Sequence, residues 1–202
     1  MSSKQNERPG AKTRGVERLV EAAQALLAET GVEGVNSNAV VARASVTPPT
    51  FYHYFPNKHA LLRELGERML SAQSAALRTD TGRRVQTPSD LRGICRDMLS
   101  ESLRMSRAFT GGYELLVALR AIPELRDVRL RHQERMAVLL VDYFTEQGLA
   151  GDGDRAALMV RAGLALHLGY AAVEMLFETG FANEAEVLDR TAEALAGALD
   201  LF

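Results

Sequence analysis

The stretch GVEGVNSNAVVARASVTPPTFYHYFPNKHALL, residues 31–62, decides how this chain is read. Asn36 and Ser37 are N-cap residue types, and they precede Val40, Val41 and Ala44, whose spacing predicts a short helix over 37–44. Ser45-Val46-Thr47 is then a turn. Thr47 is suited to cap the next element, Pro48 fits a first helical position where no N–H is needed, and Thr50 to Phe55 supply a second short helix. Pro56-Asn57 ends that helix and caps a longer one over 58–77, in which Leu62, Leu65, Met69, Ala72 and Ala76 are helix-spaced.

Two helices this short cannot bury enough surface to stand alone. They are expected to lean on a helix over 13–30, where Val16, Leu19, Val20, Ala23, Leu26 and Leu27 recur at three- and four-residue spacing before Gly31 stops the pattern. A unit of that shape presents its second helix outward, as a helix-turn-helix does when it enters the major groove. Thr47, Thr50, Tyr52, His53 and Tyr54 are expected on the outward side. Lys58 opens the following helix, where side-chain charge and helix dipole together suit a phosphate.

The rest of the chain agrees with a helical protein. Its 202 residues carry a net charge of −2 and are 47% hydrophobic and 25% charged, the composition of an ordinary globular protein, and the length allows one domain or a small domain fused to a larger one. There are 29 alanines and 28 leucines but only two isoleucines, which favours helices over sheet and predicts an all-α fold. Further helices are expected over 89–107, 110–121, 124–147, 154–179 and 184–200, so residues 1–12 form a flexible arm, 13–57 a three-helix unit and 58–202 a helical body. The apolar stretch 156–177 contains Arg161, Glu174 and His167, with only twelve residues between the two full charges. It reads as a core or interface helix and not as a membrane span. Cys95 has no intrachain partner and the first residues lack an apolar leader, so a cytoplasmic setting is expected.

On these residues the chain resembles the DNA-binding domain of the tetracycline-repressor (TetR) family of bacterial transcription regulators. The resemblance covers about residues 13–62 and is most specific in TFYHYFPNKHALL, residues 50–62. Ala44-Ser45-Val46-Thr47 is similar to the family's Ala-Gly-Val-Ser turn, Phe51 to Phe55 to its aromatic recognition-helix motif, and Lys58 to its phosphate-binding lysine. Two positions depart from the pattern. Ser45 stands where glycine is usual, and Pro49, which has no N–H to offer a phosphate, stands where a small residue often lets the backbone approach DNA.

The resemblance implies about nine helices, an N-terminal helix-turn-helix domain, and a homodimer whose C-terminal body binds a small ligand that releases a palindromic operator. The candidate DNA-binding set is Asn36, Ser37, Thr47, Pro48, Pro49, Thr50, Tyr52, His53, Tyr54 and Lys58. The candidate effector-binding set is Phe109, Tyr113, Leu116, Met136, Leu140, Tyr143, His167 and Tyr170, although ordinary core packing explains each of these at least as well.

Charge adds little to that reading, since residues 1–60 carry seven Lys/Arg against five Asp/Glu. One weakly basic domain binds duplex poorly, whereas two joined domains on adjacent half-sites bind well, so dimerisation is close to a requirement. Leu158, Ala162, Ala165, Gly169, Ala172 and Leu176 form one helix-spaced stripe, and Leu188, Ala192, Leu195 and Leu199 another. Together they are the expected four-helix dimer interface, the alternative being that both stripes pack inside one subunit.

Enzymatic readings find little footing. His53, His59, His132 and His167 are scattered, no metal-ligand or nucleophile motif accompanies them, and neither metal nor cofactor is expected. Asp152-Gly153-Asp154 reads as a helix cap. The expectation is a ligand-responsive repressor. Its rival is a helical small-molecule-binding or enzymatic protein whose N-terminal unit is a protein-interaction module.

Overall fold

The computed structural model describes residues 9–78, 83–150, 155–179 and 183–202, with backbone alone at 9–13 and 76–78. Among the described residues there are nine α-helices and no strand: α1 (Pro9–Gly34), α2 (Ser37–Ala44), α3 (Pro48–Tyr54), α4 (Lys58–Arg78), α5 (Pro88–Ala108), α6 (Gly112–Ala121), α7 (Arg126–Glu146), α8 (Arg155–Glu178) and α9 (Glu184–Leu199). The chain is thus all-α, as its composition implied. Of the expected arm, residues 1–8 lie outside the described residues, and α1 is already helical from Pro9. The cap expected at residues 152–154 also lies outside them. Gly31 does break α1, with φ 66° and ψ −171°. The helix expected from 124 begins at Arg126 because Pro123–Leu125 forms a 3-10 turn.

The helices divide into two compact units. The first holds α1, α2, α3, the Lys58–Arg68 part of α4, and residues 110–126 with α6. Its centre is Leu19, Ala23, Leu27, Val40, Phe51, Leu61, Leu65 and Leu115, all without solvent exposure. Burial of each large side chain is worth about 1.5–3 kcal/mol relative to exposure, which is how helices of seven and eight residues become stable here. The grouping of α6 with the N-terminal helices is non-local, and no pattern in the sequence announces it. At Gly111, φ is 73°, and a Cβ would stand 3.1 Å from the Ala28 backbone nitrogen, so α6 starts directly against α1. Arg68 ties α4 to α1 through Glu17 at 2.7 Å and bonds Glu64 on its own helix.

The second unit, residues 69–109 and 127–202, contains the rest of α4 with α5, α7, α8 and α9. Thr87 and Asp90 form a reciprocal capping box at the start of α5. α9 packs on both α5 and α8. This packing corrects the expected dimer interface. Leu158, Ala162, Ala165, Gly169, Ala172 and Leu176 on α8, and Leu188, Ala192, Leu195 and Leu199 on α9, are all buried inside a single chain. The helices of one subunit consume that stripe because its small residues let α8 and α9 approach each other. The opposite side of α8 stays open: Val160 and Leu164 are 64% and 63% exposed, and Leu168 is exposed as well. Among the described residues α8 is also the one helix long and apolar enough to cross a membrane.

Candidate nucleic-acid interface and ligand cavity

The helix-turn-helix is assembled by local hydrogen bonding. Asn36 is extended (φ −137°, ψ 161°), and its Oδ1 accepts the Ala39 N–H at 3.0 Å. α2 ends with Ser45 in the left-handed region (φ 50°, ψ 48°), where the Ser45 and Val46 N–H groups reach back to the carbonyls of Ala42 and Val41. Glycine is the usual residue at such a position, so the sequence departure at Ser45 falls on a backbone conformation that disfavours a side chain. Arg18, which sequence reasoning did not single out, donates from Nη2 to the Ser45 carbonyl oxygen at 2.9 Å and pins the turn to α1.

Thr47 has the extended backbone of an N-cap, but its hydroxyl does not make the expected bond to a backbone N–H. It meets the Thr50 hydroxyl at 2.9 Å instead, while the Thr50 N–H is taken by the Thr47 carbonyl. Pro48 and Pro49 occupy the first turn of α3, where helical N–H groups have no intrahelical acceptor, so neither breaks the helix.

α3 divides its aromatics by face. Phe51 and Phe55 point inward and are buried. Tyr52 is 56% exposed, stacks edge-on against Phe51, and places its hydroxyl 3.2 Å from Ser37 Oγ. His53 is exposed and packs edge-on against Tyr54, which is half-buried. Tyr54 lies over Gly15 of α1, where a Cβ would come 3.2 Å from its Cε2. Asn36, Thr47, Pro48 and Pro49 are exposed, and Ser37 and Thr50 are half-buried. At the start of α4, Asn57 Oδ1 accepts the Ala60 N–H at 2.9 Å. Half-buried Lys58 stands one residue beyond this cap. Hydroxyls, an imidazole and an ammonium group at a helix N-terminus therefore come together on one small outward-facing unit. Such groups donate to phosphate oxygens and reach base edges.

Within the second unit, α4, α5, α7, α8 and α9 line a partly open cavity of about 80 Å³. Met136, Leu140 and Tyr170 of the expected effector set line it. The other five do not. Tyr143 donates its hydroxyl to the Arg83 carbonyl at 2.6 Å, and exposed His167 pairs Nδ1 with the Gly163 carbonyl at 2.8 Å. Half-buried Phe109 caps the end of α5 away from the lining, and Tyr113 and Leu116 belong to α6 in the other unit. Sequence reasoning missed His132, which is 2% exposed. Burial, reinforced by the Arg135 charge, pushes its pKa down to about 4, so the ring is neutral at pH 7. Cys95 also lines the cavity, and burial pushes its thiol up to about 12, so it stays protonated. The available signal was position: His132 precedes Met136 and Leu140 by four and eight residues, on the same face of α7.

Comparison with known proteins agrees with this architecture. Residues 19–65 match the family model described as bacterial regulatory proteins, tetR family. A protein of Syntrophomonas wolfei described as a TetR-family transcriptional regulator shares the fold with a TM-score of 0.73 at 12% identity, over 94% of this chain and 97% of that one. A TetR-family transcriptional regulator from Streptomyces coelicolor matches with a TM-score of 0.64 at 23% identity, covering 92% of this chain and 97% of that one. The fatty acid degradation regulator FadR from Bacillus halodurans matches with a TM-score of 0.63 at 15% identity, covering 97% and 99%. No curated protein matches the sequence. The match of residues 19–65 to the tetR-family model falls on the helix-turn-helix, and the chain as a whole shares the all-helical fold of these regulators.

Proposed function

We propose that the protein is a ligand-responsive transcriptional repressor that binds a palindromic operator as a homodimer and leaves it when a small molecule fills the C-terminal cavity. In this reading residues 13–57 read DNA, while residues 58–202 carry the effector and dimer functions in the cytoplasm. The observation that carries it is α3, with Thr47 at its start, Thr50, and exposed Tyr52 and His53, followed directly by Lys58 at the capped start of α4. Two such heads on adjacent half-sites neutralise enough phosphate to make up for a weakly basic domain.

The exposed apolar stripe of α8, with Val160, Leu164 and Leu168, is the surface best suited to join the two copies. α4 is the natural lever, because the helix that opens with Lys58 also places Gln73 on the cavity. A ligand acts only if it binds the operator-incompatible arrangement of the two heads more tightly than the compatible one.

The test is an electrophoretic shift with duplexes selected by the protein from a random pool. Binding is expected to fall steeply with salt, and Tyr52→Ala and Lys58→Ala are expected to weaken it about tenfold or more while dimerisation persists. Unchanged affinity in both variants would remove α3 from the interface. No selected duplex at all would favour an N-terminal unit that contacts protein.

A further inference from the structure

The residues that line the C-terminal cavity include no Asp, Glu, Lys or Arg. Its walls are mostly aliphatic, with Met98 and Met136 among them. An unpaired carboxylate or ammonium placed there would lose its hydration without gaining a partner. The cation felt by Tyr170 is Arg129, which is not among the lining residues; its Nη1 donates to Gln133 Oε1 at 3.1 Å, and its buried Nε has no hydrogen-bond partner among the described residues.

Two of the polar groups in the wall, on neighbouring rings, have hydrogen-bonding capacity left over. The Ser74 hydroxyl spends its proton on the Leu70 carbonyl at 3.0 Å, so its contact with His132 Nδ1 at 3.4 Å has the imidazole as donor. That fixes the proton on Nδ1 and leaves Nε2 a bare acceptor on a side chain only 2% exposed. The Tyr170 hydroxyl has no hydrogen-bond partner among the described residues, and its ring meets the His132 ring edge-on at 6.3 Å. Gln73 spends one amide hydrogen on Ser106 Oγ at 2.9 Å.

We propose that this cavity takes a small uncharged molecule bearing a hydroxyl group on an apolar body, the hydroxyl donating to His132 Nε2 and accepting from the Tyr170 phenol. The proposal rests on the cavity being the effector site. An acceptor and a donor side by side in an apolar wall match a hydroxyl, which donates and accepts through a single atom. The free volume, about 80 Å³, is roughly half that of an apolar cavity of ~150 Å³ that admits benzene. Met98 and Met136 are the side chains best able to yield the remainder, so the cavity suits a single ring or a short chain.

The experiment titrates the full-length protein with phenol, toluene and benzoate by calorimetry. Phenol is expected to bind about tenfold or more tighter than toluene, because toluene leaves His132 Nε2 buried without a partner, and benzoate is expected not to bind. His132→Leu and Tyr170→Phe should each bring the phenol-to-toluene ratio toward one while leaving toluene affinity in place. Tyr170→Phe deletes a single oxygen atom and keeps the test intact should His132→Leu fold poorly. Toluene binding as tightly as phenol, benzoate binding as tightly as phenol, or none of the three binding overturns the proposal. The shift assay on the same preparations separates the two readings: lost DNA binding with phenol selectivity kept sinks the regulator alone, and the converse sinks this inference alone.

Discussion

Arg18 Nη2 donates to the Ser45 carbonyl oxygen, so α1 grips the turn of the helix-turn-helix through its backbone and not through the serine side chain. The side chain at 45 is therefore dispensable, and at φ 50° it is strained. A left-handed non-glycine residue costs roughly 1–2 kcal/mol, of which a glycine returns about 0.4–1 kcal/mol as extra freedom of the unfolded chain. Ser45→Gly is expected to stabilise the protein by about 1 kcal/mol or less in urea unfolding, with operator affinity unchanged. Loss of stability would show that the serine hydroxyl holds the turn.

Gly111 has the opposite expectation. Its φ of 73° and the 3.1 Å separation that a Cβ would have from the Ala28 nitrogen both penalise any side chain, and backbone cannot move aside as a side-chain tip does. Gly111→Ala should lower the unfolding midpoint by an amount equal to roughly 1–3 kcal/mol. A neutral substitution would mean that α6 is not held against α1 in solution.

How much of this was legible in the sequence follows from the kind of signal each feature leaves. The helix-turn-helix was readable because its determinants are local: Asn36 and Asn57 cap the helices they precede, and Phe51 and Phe55 face inward four residues apart. The dimer stripe was misread because α8 is apolar on both sides, so its periodicity finds a seam without saying which partner fills it. The packing of α6 on α1 depends on contacts far apart in sequence, and Tyr143 and His167 looked like pocket residues only by composition. Both have backbone carbonyls as partners that no spacing rule reveals.

The two faces of α8 can be told apart by charge insertion. Leu164→Glu places a carboxylate on a residue 63% exposed in the single chain, and is expected to leave the fold intact and convert the protein to monomers in sedimentation. Ala162→Glu, at a position with no exposure, should unfold it, since an unpaired buried charge costs several kcal/mol. A Leu164→Glu protein that still sediments as a dimer would move the interface away from this stripe.

His132 makes stability depend on pH in a defined window. Its pKa is about 4 in the folded chain against 6.5 as the ordinary value, so below pH 6.5 the unfolded chain takes up a proton that the folded chain refuses. Stability is therefore full above pH 6.5 and is lost as pH falls from 6.5 toward 4, to a total of roughly 3 kcal/mol. Between pH 7 and pH 5 the wild-type protein should lose about 2 kcal/mol through this group, measured by urea unfolding. The paired carboxylates Glu17 and Asp90 are held below their ordinary values, Glu17 by the Arg68 guanidinium and Asp90 by hydrogen bonds from Thr87 and Gln86, so their contributions fade at lower pH and leave this window to the histidine. His132→Leu should flatten the profile over the same range. An equal loss in both proteins would show that the ring is hydrated in the folded state, and with it that Nε2 has water instead of an empty apolar wall beside it.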